Sequence, residues 1–156
     1  MKCRKRMATM LAACLCAMLC GCGVDIDPPE ISALPPYTAK EEMDSGDFRD
    51  NLVYGEYHYT AYTPEEMTTH LETSRMFVPA TEENERQFVG AVNYFEGLLR
   101  DLGANEEFTE RYYTDELQIN GRVSGIDFDE SDWFAYSAYG YFWYDAQTKT
   151  VYQYTM

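Results

Sequence analysis

The groups in this chain that could do chemistry are five cysteines, two histidines and one acidic loop. A thiol serves as nucleophile, metal ligand, disulfide partner or acylation site. Cys3, Cys14, Cys16, Cys20 and Cys22 all fall within the first 22 residues, and residues 23–156 contain none. A disulfide framework and a cysteine-based metal or catalytic site are therefore excluded from the greater part of the chain. His58 lies in a Tyr-rich stretch and His70 on a short predicted helix, and neither stands at the spacing of a zinc or nucleophile site. Triads assemble in space and not in sequence, so a hydrolase built on either histidine stays open, although no Gly-x-Ser-x-Gly turn marks a serine. Asp127, Asp129, Ser131 and Asp132 place oxygen donors at the spacing with which a calcium loop begins. The sixth position, where such a loop turns on glycine, is Asp132, and the twelfth, where a bidentate Glu is needed, is Ala138. An acidic surface loop is the simpler account, and no metal or cofactor is expected. With 27 carboxylates in the chain, a glycosidase-like pair carries no information.

Charge narrows the partners. The formal net charge is −15, yet Lys2, Arg4, Lys5 and Arg6 all precede the first acidic residue, Asp25. Without residues 1–21 those four positive charges go and −19 remains. Such a surface repels nucleic acid and anionic headgroups, which argues against a nucleic-acid partner.

The basic start leads into Met7–Leu19, an apolar run of 13 residues interrupted by Thr9. A membrane span needs about 20 apolar residues, so this run has the length of a signal-peptide core. It ends in Leu19-Cys20-Gly21-Cys22. That order of features resembles the bacterial lipoprotein signal, in which Leu and two small residues precede a cysteine that is acylated and becomes the first residue after cleavage. The resemblance covers residues 1 to about 23 and implies lipid attachment at Cys22, with a chain anchored to the cell membrane on its extracytoplasmic face. Leu11-Ala12-Ala13-Cys14 is the runner-up. It would shorten the apolar core to about seven residues and leave Leu15–Leu19 apolar just after the anchor.

The elements that must position any site begin after the anchor. Asp25 to Asp50 has four prolines and eight acidic residues and predicts an extended, self-repelling tether, giving a division into signal 1–21, lipidated Cys and tether 22–50, and one domain 51–156. Leu52–Tyr62 has strand composition. Thr63-Pro64-Glu65-Glu66 predicts a capping box opening a short helix, with Tyr62 and Met67 placed as a hydrophobic staple. Phe88, Ala91, Val92, Phe95, Leu98, Leu99 and Leu102 form one stripe on a helix from Thr81 to Leu102, ended by Gly103. Glu106–Leu117 reads as helical, and Gln118–Ile126 as a short strand or hairpin turning at Asn120-Gly121.

Trp133–Tyr144 and Thr150–Tyr154 predict a terminal β-hairpin around Asp145–Lys149. If Ala146–Lys149 is a four-residue loop, Tyr144 faces Val151, and Tyr141, Trp143, Tyr152 and Tyr154 share the side packed on the long helix. Phe142, Tyr144, Gln153 and Thr155 would then lie on the more exposed side. A loop of three or five residues would exchange one strand's faces. Tyr144 to Val151 resembles the Asp-x-x-Thr-Gly-x-Val hairpin of PepSY-like domains, with Lys149 in place of the glycine, and implies a peptidase-binding or modulating role. A helix before an aromatic sheet also suits cystatin-like and NTF2-like arrangements.

The expected fold class is α+β, one long amphipathic helix packed on an antiparallel sheet. The expected role is a membrane-anchored binding or interaction module whose partner is an envelope protein, peptide or glycan. Three readings remain. A binding module predicts an exposed Tyr/Trp patch on the sheet. A small cell-envelope hydrolase predicts a cleft where His58 or His70 meets a Ser or carboxylate. A calcium-dependent module predicts convergence of Asp127, Asp129 and Asp132.

Overall fold

Residues 26–44, 52–102 and 128–156 are described by a computed structural model. In chain order they form α1 (Pro29–Ser32), β1 (Ala39–Asp44), β2 (Val53–His58), α2 (Pro64–Ser74), β3 (Val78–Pro79), α3 (Glu82–Leu102), β4 (Trp133–Ser137), β5 (Gly140–Asp145) and β6 (Thr150–Thr155). Among the described residues the six strands make one antiparallel sheet in the order β1-β2-β6-β5-β4-β3. The fold class is α+β.

Local chemistry explains the helices. Thr63 caps α2 through a capping box: its hydroxyl accepts from Glu66 N–H at 3.2 Å, and the Glu66 carboxylate accepts from Thr63 N–H at 2.8 Å. Arg75 closes the helix with a left-handed φ of 57°. Thr81 accepts from Asn84 N–H at 3.2 Å at the start of α3. The α3 stripe then buries Phe88, Ala91, Val92, Phe95 and Leu99. Phe88 is an aromatic hub, with ring centroids 5.4 Å from Phe134, 5.7 Å from Tyr154 and 5.8 Å from Trp143. A fully buried Phe contributes about 1.5–3 kcal/mol, so this stripe is what fixes α3 across β5 and β6.

Asp145 pairs with Thr150 and Tyr144 with Val151, the register of the four-residue loop. Asp145 Oδ1 accepts from Gln147 N–H at 2.9 Å and Thr148 N–H at 3.2 Å, which folds the loop back on itself. Lys149 has a φ of 54°, the left-handed conformation that glycine favours. Trp143, Tyr152 and Tyr154 lie under α3 as the register requires.

Three expectations are corrected. Trp133–Tyr144 is two strands, because Ser137–Gly140 turns the chain: Gly140 has a φ of 136°, and a Cβ there would stand 2.5 Å from the Tyr154 carbonyl oxygen. The second face of the sheet is covered, so Phe142, Tyr144 and Gln153 are buried. Its cover is α2, through Met67 and Leu71, together with Phe77, Ile31 and Leu34. The last two residues belong to the third correction. Over residues 26–44 the tether is part of the fold, an N-terminal strap that runs across the second face and then adds β1 to the edge of β2. Its proline-rich composition does not prevent this, because α1 uses Pro29 in its first turn, where no amide hydrogen is needed. The strap is tied down by Thr38 N–H to the His58 carbonyl at 2.7 Å, by Tyr62 Oη to the Pro36 carbonyl at 3.2 Å, and by the Tyr37 ring 5.4 Å from that of Tyr57. Cys14, Cys22, Gly103, Glu106–Leu117 and Gln118–Ile126 lie outside the described residues.

Candidate functional site

Two polar clusters arise where β2 and β6 pair, one on each face. On the α3 face the register sets Glu56 beside Tyr152 and His58 beside Thr150. His58 Nδ1 lies 2.9 Å from Thr150 Oγ1 and its Nε2 lies 3.6 Å from Glu56 Oε2, while Tyr54 Oη donates to Glu56 Oε1 at 2.7 Å. Burial pushes the Glu56 carboxyl above its usual value and Glu41 adds to this, against the opposing pull of the Tyr54 hydrogen bond and of His58. His58 thus lies near a carboxylate, with a threonine where the hydrolase expectation had a serine, and it does not line the cleft described below. The hydroxyl is a poor nucleophile in this setting: Thr150 is only 1% exposed, and its Oγ1 also lies 3.3 Å from the Thr148 carbonyl as donor. A substrate carbonyl has no approach to it. His70 is elsewhere, its ring edge-on to Tyr62 at 5.8 Å and without a hydrogen bond to any described residue.

The acidic loop is a structural device. Asp132 is buried and its carboxylate accepts three N–H groups: Trp143 Nε1 at 3.0 Å, Ala146 N at 3.0 Å and Asp129 N at 3.1 Å. Burial raises its carboxyl pKa and those donors oppose the rise. Asp129 Oδ1 accepts from the backbone and hydroxyl of Ser131, which holds the Asp129 carboxyl below the usual range. Both Asp132 oxygens and Asp129 Oδ1 are thus taken up by N–H and O–H donors, and no group of three metal-ligating side chains occurs among the described residues. Asp127 lies outside them.

The cluster on the opposite face runs outward from the buried Tyr57 to the half-buried Thr155. Tyr57 Oη donates to Gln153 Oε1 at 2.8 Å, Gln153 Nε2 donates to Thr155 Oγ1 at 2.8 Å, and Thr155 Oγ1 donates to the Tyr139 carbonyl at 2.6 Å. Gln153 and Thr155, the outer end of this relay, form the floor of a cleft of about 560 Å³. The strap supplies one wall with Ile26, Asp27, Pro28, Pro29 and Ser32, and the β4–β5 turn supplies the other with Ala138 and Tyr139. Asp27 is fixed by Lys40 Nζ at 3.3 Å, and the same ammonium reaches Glu42 at 3.1 Å and lies 5.4 Å from the centre of the Tyr57 ring. Ile26 and Tyr139 stand on the rim at 80% and 56% exposure. A small polar floor between apolar walls is the usual composition of a ligand site.

The exposed Tyr/Trp patch expected on the sheet is not there among the described residues. Tyr54, Tyr57, Trp143, Tyr144, Tyr152 and Tyr154 are all buried. Burial without full pairing has a cost on the second face, where the Tyr59 and Tyr144 hydroxyls have no described partner. The Tyr144 hydroxyl is pushed up to about 12 by burial, with Asp145 and Asp132 adding to the effect. The cleft residues Tyr139, Gln153 and Thr155 carried no sequence signal of their own; the glycine inside the aromatic run was the one mark of the turn that presents Tyr139. Among the described residues no helix is long and apolar enough to cross a membrane. No protein family, curated protein sequence or solved structure matches this chain.

Proposed function

We propose that this chain is a lipid-anchored extracytoplasmic binding module. It is attached to the cell membrane through Cys22 and meets an envelope component at the cleft between the strap and the β4–β5 turn. The observation that carries the binding reading is that cleft. With both sheet faces covered, it is a concave surface that joins two hydrogen-bonded polar side chains, Gln153 and Thr155, to exposed apolar side chains, Ile26 and Tyr139. The address rests on the basic start, the short apolar core and Gly21-Cys22. Two acyl chains on one cysteine make attachment stable where one alone is marginal.

One experiment in a bacterial host tests both halves. A photo-reactive amino acid replaces Tyr139, or Tyr94 on the exposed face of α3 as control, in the otherwise unaltered chain and in chains carrying Cys22→Ala or Cys14→Ala. The unaltered and Cys14→Ala chains are expected in the membrane fraction, with an adduct at position 139 that is absent at 94. Cys22→Ala is expected as released protein or unprocessed precursor. Unchanged acylation of Cys22→Ala would sink the anchor, and equal labelling at the two positions would sink the cleft.

A further inference from the structure

We infer that the cleft face is the membrane-facing side of the protein and that the component it meets is the lipid interface itself, an inference that rests on the Cys22 anchor proposed above. The first ground is reach. The chain is pinned from Asp27 onward: its carboxylate is held by Lys40 at 3.3 Å, its carbonyl accepts from Ser32 Oγ at 3.2 Å, and Ile31 and Leu34 are buried. Four residues, Gly23 to Ile26, separate Cys22 from Asp27, and the five Cα-to-Cα steps, at about 3.4 Å each, span at most roughly 17 Å. A domain of about 100 residues has a radius of gyration near 13 Å, which for a compact sphere is a diameter of roughly 34 Å. The anchor is thus too short to let Asp27 sit on the side away from the bilayer. A tether running to residue 50 would have allowed free tumbling; the docked strap does not.

The second ground is the chemistry of that side. In a chain that carries −19 once residues 1–21 are removed, most surfaces are repelled by anionic headgroups. The cleft walls and floor hold a single carboxylate, Asp27, which is paired with Lys40, an ammonium shared with Glu42 outside the lining. The other lining groups are uncharged: Ile26, Pro28, Pro29, Ser32, Ala138, Tyr139, Gln153 and Thr155. Tyrosine favours the headgroup level, where its ring meets the acyl boundary and its hydroxyl meets water. Tyr139, at the tip of a tight turn, is presented for that position, and Ile26 lies just behind the anchor.

The test uses the acylated chain, purified from membranes and reconstituted in phosphatidylcholine vesicles with or without bromine on the acyl chains. Tyr139→Trp and Tyr94→Trp are compared with the unaltered chain, whose own Trp133 and Trp143 are largely buried. Flotation reads the anchor, and quenching of the added tryptophan emission reads the orientation. The expected result is that all three float, that brominated lipid removes the emission added at position 139, and that it leaves the emission added at 94 intact. Flotation with equal quenching, or none, at both positions overturns the orientation and leaves the anchor standing. Failure to float overturns both. Cellular adducts from position 139 to a protein or glycan, in place of phospholipid, overturn the lipid partner while preserving the binding module.

Discussion

Ile31→Ala separates a folded strap from a tether. In a solvated tether the substitution changes stability by no more than about 0.5 kcal/mol. In the structure Ile31 is 2% exposed and belongs to the second core, with Leu34, Tyr57, Met67 and Phe142. Truncation to Ala removes three carbons, roughly 2.4 kcal/mol at about 0.8 kcal/mol per buried methylene. The cavity left behind brings the total to about 3–4 kcal/mol. With a urea m-value of about 2 kcal/mol/M, the midpoint falls by about 1.5–2 M. Trp143 reports the transition, being buried and stacked on Tyr152 at 5.1 Å between centroids. Glu41→Ala, at an exposed position in β1, serves as the control and is expected within about 0.5 kcal/mol of the unaltered chain. An Ile31→Ala midpoint indistinguishable from that control would refute the docked strap and, with it, the short anchor.

Glu56→Gln tests the buried carboxylate through pH. Because burial raises its folded pKa above the usual 4.5, the folded state holds the proton more tightly than the unfolded state; its contribution is full below about pH 4.5 and is lost as pH rises through the folded value. The variant keeps an acceptor for Tyr54, so its melting temperature is expected to fall less than that of the unaltered chain between about pH 4.5 and 7; equal slopes would refute the assignment. Asp132→Ala leaves Trp143 Nε1–H and the amides of Ala146 and Asp129 without their acceptor, at a cost of about 3 kcal/mol. A melting-temperature loss near 12–24 °C is expected at about 4–8 °C per kcal/mol for a domain of about 100 residues, and a rise on adding calcium to the unaltered chain would show instead that the loop ligates the ion.

What the sequence disclosed was local. Thr63 and Glu66 close their box within four residues, the α3 stripe repeats within a few turns, and the β5–β6 register follows from the length of one loop. What it concealed was two-sidedness. Period-two reasoning assigns one face of a strand to solvent, whereas Trp133-Phe134-Ala135 and Phe142-Trp143-Tyr144 are unbroken apolar runs, the pattern of strands buried on both sides. The strap was hidden for the opposite reason. On β1 only Met43 is buried, as befits an edge strand, and Ile31 and Leu34 are too few to set up a period. The polar clusters depend on partners 92 and 96 residues apart, His58 with Thr150 and Tyr57 with Gln153, which no local pattern can bring together.

The same topology decides where function can reside. A sheet covered on both faces has no free surface to offer, and its polar groups are either sealed, as around Thr150, or placed where two covering segments leave a seam. The cleft is such a seam, made from residues 26–32, 138–139 and 153–155. One of its walls is the first part of the strap, residues 26–34, which is held by a single helical turn, two buried aliphatic residues and a few hydrogen bonds before the chain enters the paired strand β1. Segments with so few buried contacts open at lower free energy than the core beneath them. Release of that part would remove a wall of the cleft.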